Sequence, residues 1–392
     1  MIEQAQQVLL AAISASLFGS AFSCPGDTDW DAVIGEAKAQ AVTALISPVL
    51  PVRDGSADQC RAFYMRLLYE QDKLLRLLAE HNLPCVILKG CAAAVYYPKP
   101  HLRAMGDVDL LVPRDRFADA AKCMEENGYT PQHENAETEK PPRHISFTKN
   151  GIEFELHHHF STSCPEADEI LEPAIGRREY RELNGFRFPV LPETENGIVL
   201  LEHIHQHLTF DYLGLRQIID WAMYCHAVTG NAAWEAEFAP LAEKIGLSRL
   251  ARNVTAMCEK HLGLPAAAGT RTPAEEAIAD TLLEVLLTAG NFGKRQMTSS
   301  RDSGARIERI LGHIRHRGLC TYFRDSGLDN WKLCQKHRVL KPLAVPYGMV
   351  RFLVRGGAAI IRTGKYKEQL RYIRDKNQFD RALGLRPKET GK

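Results

Sequence analysis

Residues 86–112 read VILKGCAAAVYYPKPHLRAMGDVDLLV, and this stretch decides the fold. VILKG is a short apolar run closed by glycine, the pattern of a buried strand running into a turn. The small residues that follow, CAAAVYY, suit a helix packed tightly against that strand. After a loop rich in proline, glycine and charge, DVDLLV predicts a second strand. Alternate strand residues face one side, so Asp107 and Asp109 would present both carboxylates to one volume while Val108 and Leu110 face the core. Such carboxylates are hard anionic ligands suited to Mg²⁺ (or Mn²⁺), able to bridge two ions about 3.5–4 Å apart.

Lys89-Gly90 closes the first strand and opens the small-residue helix, where backbone N–H groups and the helix dipole could hold phosphate. Lys89 would add a point charge there, and Arg103, four residues before Asp107, could pair with phosphate bidentately. The plainer readings are a solvated Lys89 and an Arg103 in an ordinary salt bridge.

Outward from this stretch, the chain before residue 82 is helical, with Asp29 or Asp31 placed to cap WDAVIGEAKAQAVTALI and leucines at helical spacing from Ala57 to His81. DRFADAAKCMEENGY predicts a helix ending near Gly128. HISFTKNGIEFELHHHF predicts a β-hairpin turning at Lys149-Asn150-Gly151. There Glu153 and Glu155 alternate with Phe154 and Leu156, so a further strand offers carboxylates on one face. A third carboxylate beside two metals would help hold the catalytic ion and take the proton from an attacking hydroxyl. From Glu193 onward the pattern is helical again.

Of the three histidines at 157–159, only His157 and His159 share a strand face, and His157 shares that of Glu155. On a helix His203 and His207 share a face, as do Arg216 and Asp220, which most simply form a surface ion pair. No third zinc ligand is evident beside these histidines. RGGAAIIRTGK fails the spacing of a phosphate-binding P-loop, and no GxGxxG follows a strand.

The run ILKGCAAAVYYPKPHLRAMGDVDLLVPRDRFADAAKCMEENGYT resembles the core of uncharacterised bacterial nucleotidyltransferase-like proteins, a branch of the polymerase-β-type nucleotidyltransferase superfamily. The shared features are the LKG turn, a Tyr-Pro, an arginine, the DxDLLV strand and a helix ending in Gly128-Tyr129. A later acidic-apolar-His strand matches Glu155-Leu156-His157, and LLEHIHQHL with GLRQIIDWA is similar to a helical segment of the branch. The resemblance spans roughly residues 28–225. It implies an α/β (α+β) core with a small mixed sheet, and Asp107, Asp109 and Glu155 as catalytic metal ligands. Gly90 would stand in the loop approaching the NTP, with Lys89, Cys91 and Arg103 about it. Cys91 replaces the usual Ser or Gly, leaving backbone amides but no hydroxyl at that position. The implied reaction is attack of an acceptor on the α-phosphorus of an NTP, expelling pyrophosphate.

The expected organisation is an N-terminal helical region (1–82), a nucleotidyltransferase core (83–192), a helical region (193–300) and a basic helical C-terminal region (301–392). The net charge of +1 conceals a division. Residues 301–392 carry 22 Lys+Arg against 8 Asp+Glu, and residues 1–300 carry 27 against 40. The basic end therefore suggests a polyanion or a protein partner, in addition to the NTP and an unidentified acceptor. Ten dispersed cysteines without a CxxC, no basic leader and no long apolar span predict a cytoplasmic protein with no transmembrane segment. The expected function is Mg²⁺-dependent NMP transfer to a small molecule, sugar or protein. A catalytically idle nucleotide-binding module, as in toxin–antitoxin pairs, and a metal-dependent phosphohydrolase are the alternatives.

Overall fold

The computed structural model describes residues 2–132, 144–161, 163–210, 213–228, 234–266, 272–291, 319–331, 333–334, 338–363 and 379–385. Four helices come first: α1 (Gln4–Phe18), α2 (Trp30–Ala39), α3 (Thr43–Ile46) and α4 (Ser56–Glu80). Asp29 caps α2, accepting from Ala32 N at 3.0 Å. Strand β1 (Val86–Leu88) leads into the short helix α5 (Gly90–Ala94), and DVDLLV supplies β2 (Val108–Leu111). Then come α6 (Phe117–Glu126), β3 (Thr130–Pro131), β4 (His144–Lys149) and β5 (Ile152–His157). The α7 helix (Pro165–Ala174) and the strands β6 (Glu179–Leu183) and β7 (Phe186–Val190) complete the sheet-bearing part.

The seven strands form one mixed sheet in the order β3-β4-β5-β2-β1-β7-β6. β2 runs parallel to β5 and β1 parallel to β7; the other pairs are antiparallel. The β4–β5 hairpin turns where expected, with Asn150 at φ 51° and Gly151 at φ 69°, the left-handed pair of a type I′ turn. Asn150 Nδ2 donates to Glu70 on α4 at 3.0 Å, and Arg66 donates to Gly151 O at 3.2 Å, so α4 fixes the turn. The β6–β7 hairpin is not among the elements expected from sequence. Its signal is Asn184-Gly185, again with φ of 50° and 83°.

Both sheet faces are apolar. Ile87, Val108, Leu110, Phe154 and Leu156 pack with α4 and α6. Val86, Leu88 and Leu111 look the other way, into a helical body built from α1–α3, α7, and the later helices α8 (Glu193–Phe210), α9 (Leu215–Val228), α10 (Ala239–Lys244), α11 (Ser248–Met257) and α12 (Pro273–Ala289). The N-terminal helices are thus divided between the two layers. Buried Gln40 knits that body, donating to Leu286 O at 2.9 Å and accepting from Leu215 N at 3.0 Å. The small residues of α5 are explained by its position, since Ala93 packs into one core and Cys91, Ala92 and Ala94 into the other.

In the basic C-terminal region, helices Leu319–Asn330 and Ala344–Thr363 are described. Its most basic runs, 306–318 and 364–376, lie outside the described residues. Leu383 and Leu385 return to the helical body, where Asn253 donates to Ala382 O at 3.2 Å. All ten cysteines are free thiols. Among the described residues, no helix is long and apolar enough to cross a membrane.

Candidate active site

Strand register brings the acidic groups together. Asp109 on β2 stands directly beside Glu155 on β5 and beside Leu88 on β1. His157, two residues after Glu155, shares its face and pairs across β4 with His144. Asp109 and His157 are buried, while Glu155 keeps 23% of its side chain exposed, so the group opens to solvent on the Glu155 side. His157 Nε2 lies 3.0 Å from Asp109 Oδ1 and 3.2 Å from Glu155 Oε2. Among the described residues, these three form the one cluster of three or more His, Cys, Asp or Glu whose ligand atoms converge within 4.8 Å. Asp107 precedes β2, is half-buried and is not part of that triplet.

Lys89 follows β1 and closes the group. Its backbone sits at φ 46°, ψ −140°, a strained conformation for a residue with a Cβ, and Gly90 follows at φ 34°. This kink aims Lys89 Nζ at Asp109 Oδ1, 2.8 Å away. The charges shape one another. Burial alone would raise the Asp109 carboxyl, but the Lys89 ammonium and the His157 hydrogen bond outweigh it and hold that group below the usual carboxylate range. The negative charge of Asp109, and then burial, raise the carboxyl of Asp107. Burial opposes the charged forms of Lys89 and His157, yet the neighbouring carboxylates prevail and raise both.

A family described as an uncharacterised nucleotidyltransferase matches residues 26–263. The chain belongs to this nucleotidyltransferase family. The matched span includes Lys89, Asp107, Asp109, Glu155 and His157 and ends before the basic C-terminal region. Among solved structures, the chain is similar to one described as the solution structure of antibiotic-resistance factor ANT(2'')-Ia revealing substrate-regulated conformation dynamics. The likeness has 16% identity and a TM-score of 0.30, covering 46% of this chain and 97% of the other. No curated protein matches.

Two residues expected near phosphate are engaged in other contacts in this nucleotidyltransferase. Arg103 is buried, with Nε and Nη2 donating to the two carboxylate oxygens of Asp220 on α9 at 2.7 and 2.6 Å. Tyr97 donates to Asp220 as well, at 2.7 Å. This two-point pairing commits the Nε and Nη2 edge of the guanidinium to Asp220. The Cys91 thiol points into the apolar core under α4, where burial pushes it up to about 12. The expected Arg216–Asp220 surface pair gives way to this network. Arg216 instead donates to Ala104 O at 3.2 Å, beside Gly106 and hence next to Asp107, a placement no local spacing announces.

The histidines separate by face. His158 packs on Phe117, with ring centroids 4.3 Å apart. His159 contacts Asp168, which also accepts from the backbone of Phe160 and Ser161 and so fixes the exit of β5. His203 and His207 on α8 meet at 2.9 Å. Burial, and then the Lys89 charge, lower both, His207 to about 3, so near neutral pH they are uncharged.

Proposed function

We propose that this protein transfers an NMP from an NTP to an acceptor nucleophile with release of pyrophosphate, in a reaction dependent on Mg²⁺ or Mn²⁺. The observation that carries this reading is the side-by-side placement of Asp109 and Glu155 on parallel strands, with Lys89 and Asp107 at the same place. The residues suit divalent ions, because hard carboxylate oxygens converge on a largely desolvated volume and Asp107 and Asp109 already repel each other. Ions held by Asp107, Asp109 and Glu155 would supply positive charge to the attacking and leaving oxygens. Glu155, more exposed than Asp109, is placed to accept the proton of the incoming hydroxyl. Lys89 stands where it can hold a phosphate oxygen against the sheet, and the kinked Lys89-Gly90 backbone lets the chain approach closely.

The test is incubation with Mg²⁺ and each α-labelled NTP beside cell extract. Label on a metabolite, a sugar or a protein, together with pyrophosphate release, supports the reading and identifies the acceptor. Release of inorganic phosphate would indicate a phosphohydrolase. NTP binding without turnover would indicate an idle nucleotide-binding module.

A further inference from the structure

His157 has no role in the proposed reaction, yet its ring is buried at the carboxylates. Its single Nε2 atom lies 3.0 Å from Asp109 and 3.2 Å from Glu155. One N–H can point well at only one of two such oxygens. Both separations suit two ligands of one ion, since ligands about 2.0–2.2 Å from a metal stand roughly 3.0–3.4 Å apart. One donor atom from each of the three residues lies within 4.8 Å of the others. The ring is held in place by its neighbours, with His144 at 5.1 Å and Phe160 at 6.4 Å between centroids. A path from solvent exists on the Glu155 side.

We propose that His157 is an imidazole ligand of the ion held at Asp109 and Glu155, and that the site therefore takes a first-row transition ion such as Mn²⁺ in preference to Mg²⁺. The inference rests on the reading of these carboxylates as a metal site and deepens it by naming the class of ion. Carboxylates alone suit Mg²⁺ and Mn²⁺ alike, whereas imidazole moves the preference toward the transition metals. The mixed donor set is written into the sequence as Glu155-Leu156-His157, because a strand puts alternate residues on one face.

The test uses the full-length protein loaded with Mn²⁺ alone and pulsed electron paramagnetic resonance, which reads nitrogen coupled to the bound ion. The wild type is expected to show a histidine nitrogen coupling that changes when histidine is labelled with ¹⁵N. His157→Gln should lose that coupling and bind Mn²⁺ at least about tenfold more weakly. It should also lose the preference for Mn²⁺ over competing Mg²⁺, while His144→Gln keeps both. Mn²⁺ bound to the wild type without nitrogen coupling overturns the proposal whether or not the variant folds, and so does coupling that survives His157→Gln. The two readings fail separately: NMP transfer without nitrogen coupling sinks this inference alone, and nitrogen coupling without transfer sinks the proposed reaction alone.

Discussion

Arg103 and Asp220, 117 residues apart in sequence, meet as a buried two-point ion pair that joins the loop before β2 to helix α9. The pair fixes the approach to Asp107 from the side of the helical body. Removing one partner leaves the other charge buried and uncompensated, which costs about 3–5 kcal/mol. Arg103→Met and Asp220→Leu should each lower the urea midpoint accordingly, and the double variant should recover part of the loss. A raised KM for NTP with unchanged stability would instead place Arg103 at the phosphates.

Asp109→Asn and Glu155→Gln are expected to reduce NMP transfer by at least about 10²-fold, the scale on which one placed charge contributes to such reactions. Asp107→Asn should do the same with a smaller effect on folding, because Asp107 is half-buried and its ionisation is already opposed by Asp109. Circular dichroism beside a pyrophosphate-release assay separates loss of chemistry from loss of fold.

Lys89 touches the same Asp109 oxygen that the proposed ion would use. Lys89→Met should therefore tighten Mn²⁺ binding, measured by titration, while raising the KM for NTP about tenfold. Movement of both constants in the same sense would mean that Lys89 does not stand between the ion and the triphosphate.

His203 and His207 predict an acid-sensitive fold. Burial, aided by Lys89, keeps both neutral in the native state, whereas in the unfolded chain they take up protons near their ordinary value of 6.5. The unfolded state thus binds more protons below that pH, and stability falls as the pH drops. The urea midpoint should decline between about pH 6.5 and 4. His203→Gln/His207→Gln should decline less steeply over the same interval.

What could be read from sequence was what local pattern encodes. Alternation placed Asp109 between core-facing Val108 and Leu110, and Asn150-Gly151 announced its turn. Glycine after an apolar run marked the kink at Lys89-Gly90. Register between distant strands has no local signature, so the meeting of Asp109 with Glu155 followed from pattern only as a shared tendency and from the sheet as a contact. The i, i+4 rule pointed Asp220 at Arg216, but a buried guanidinium with two-point geometry is the stronger partner and comes from another part of the chain. Arg216 entered the site in the same way, through tertiary placement, whereas strand alternation had already put His157 on the face of Glu155.

The second apolar face of the sheet limits how this catalyst can be re-engineered. Val86, Leu88 and Leu111 have their partners in the helical body, so a segment cut at residue 192 would expose them to water. A transplant of the sheet into another scaffold would therefore have to carry α8 and α9 with it.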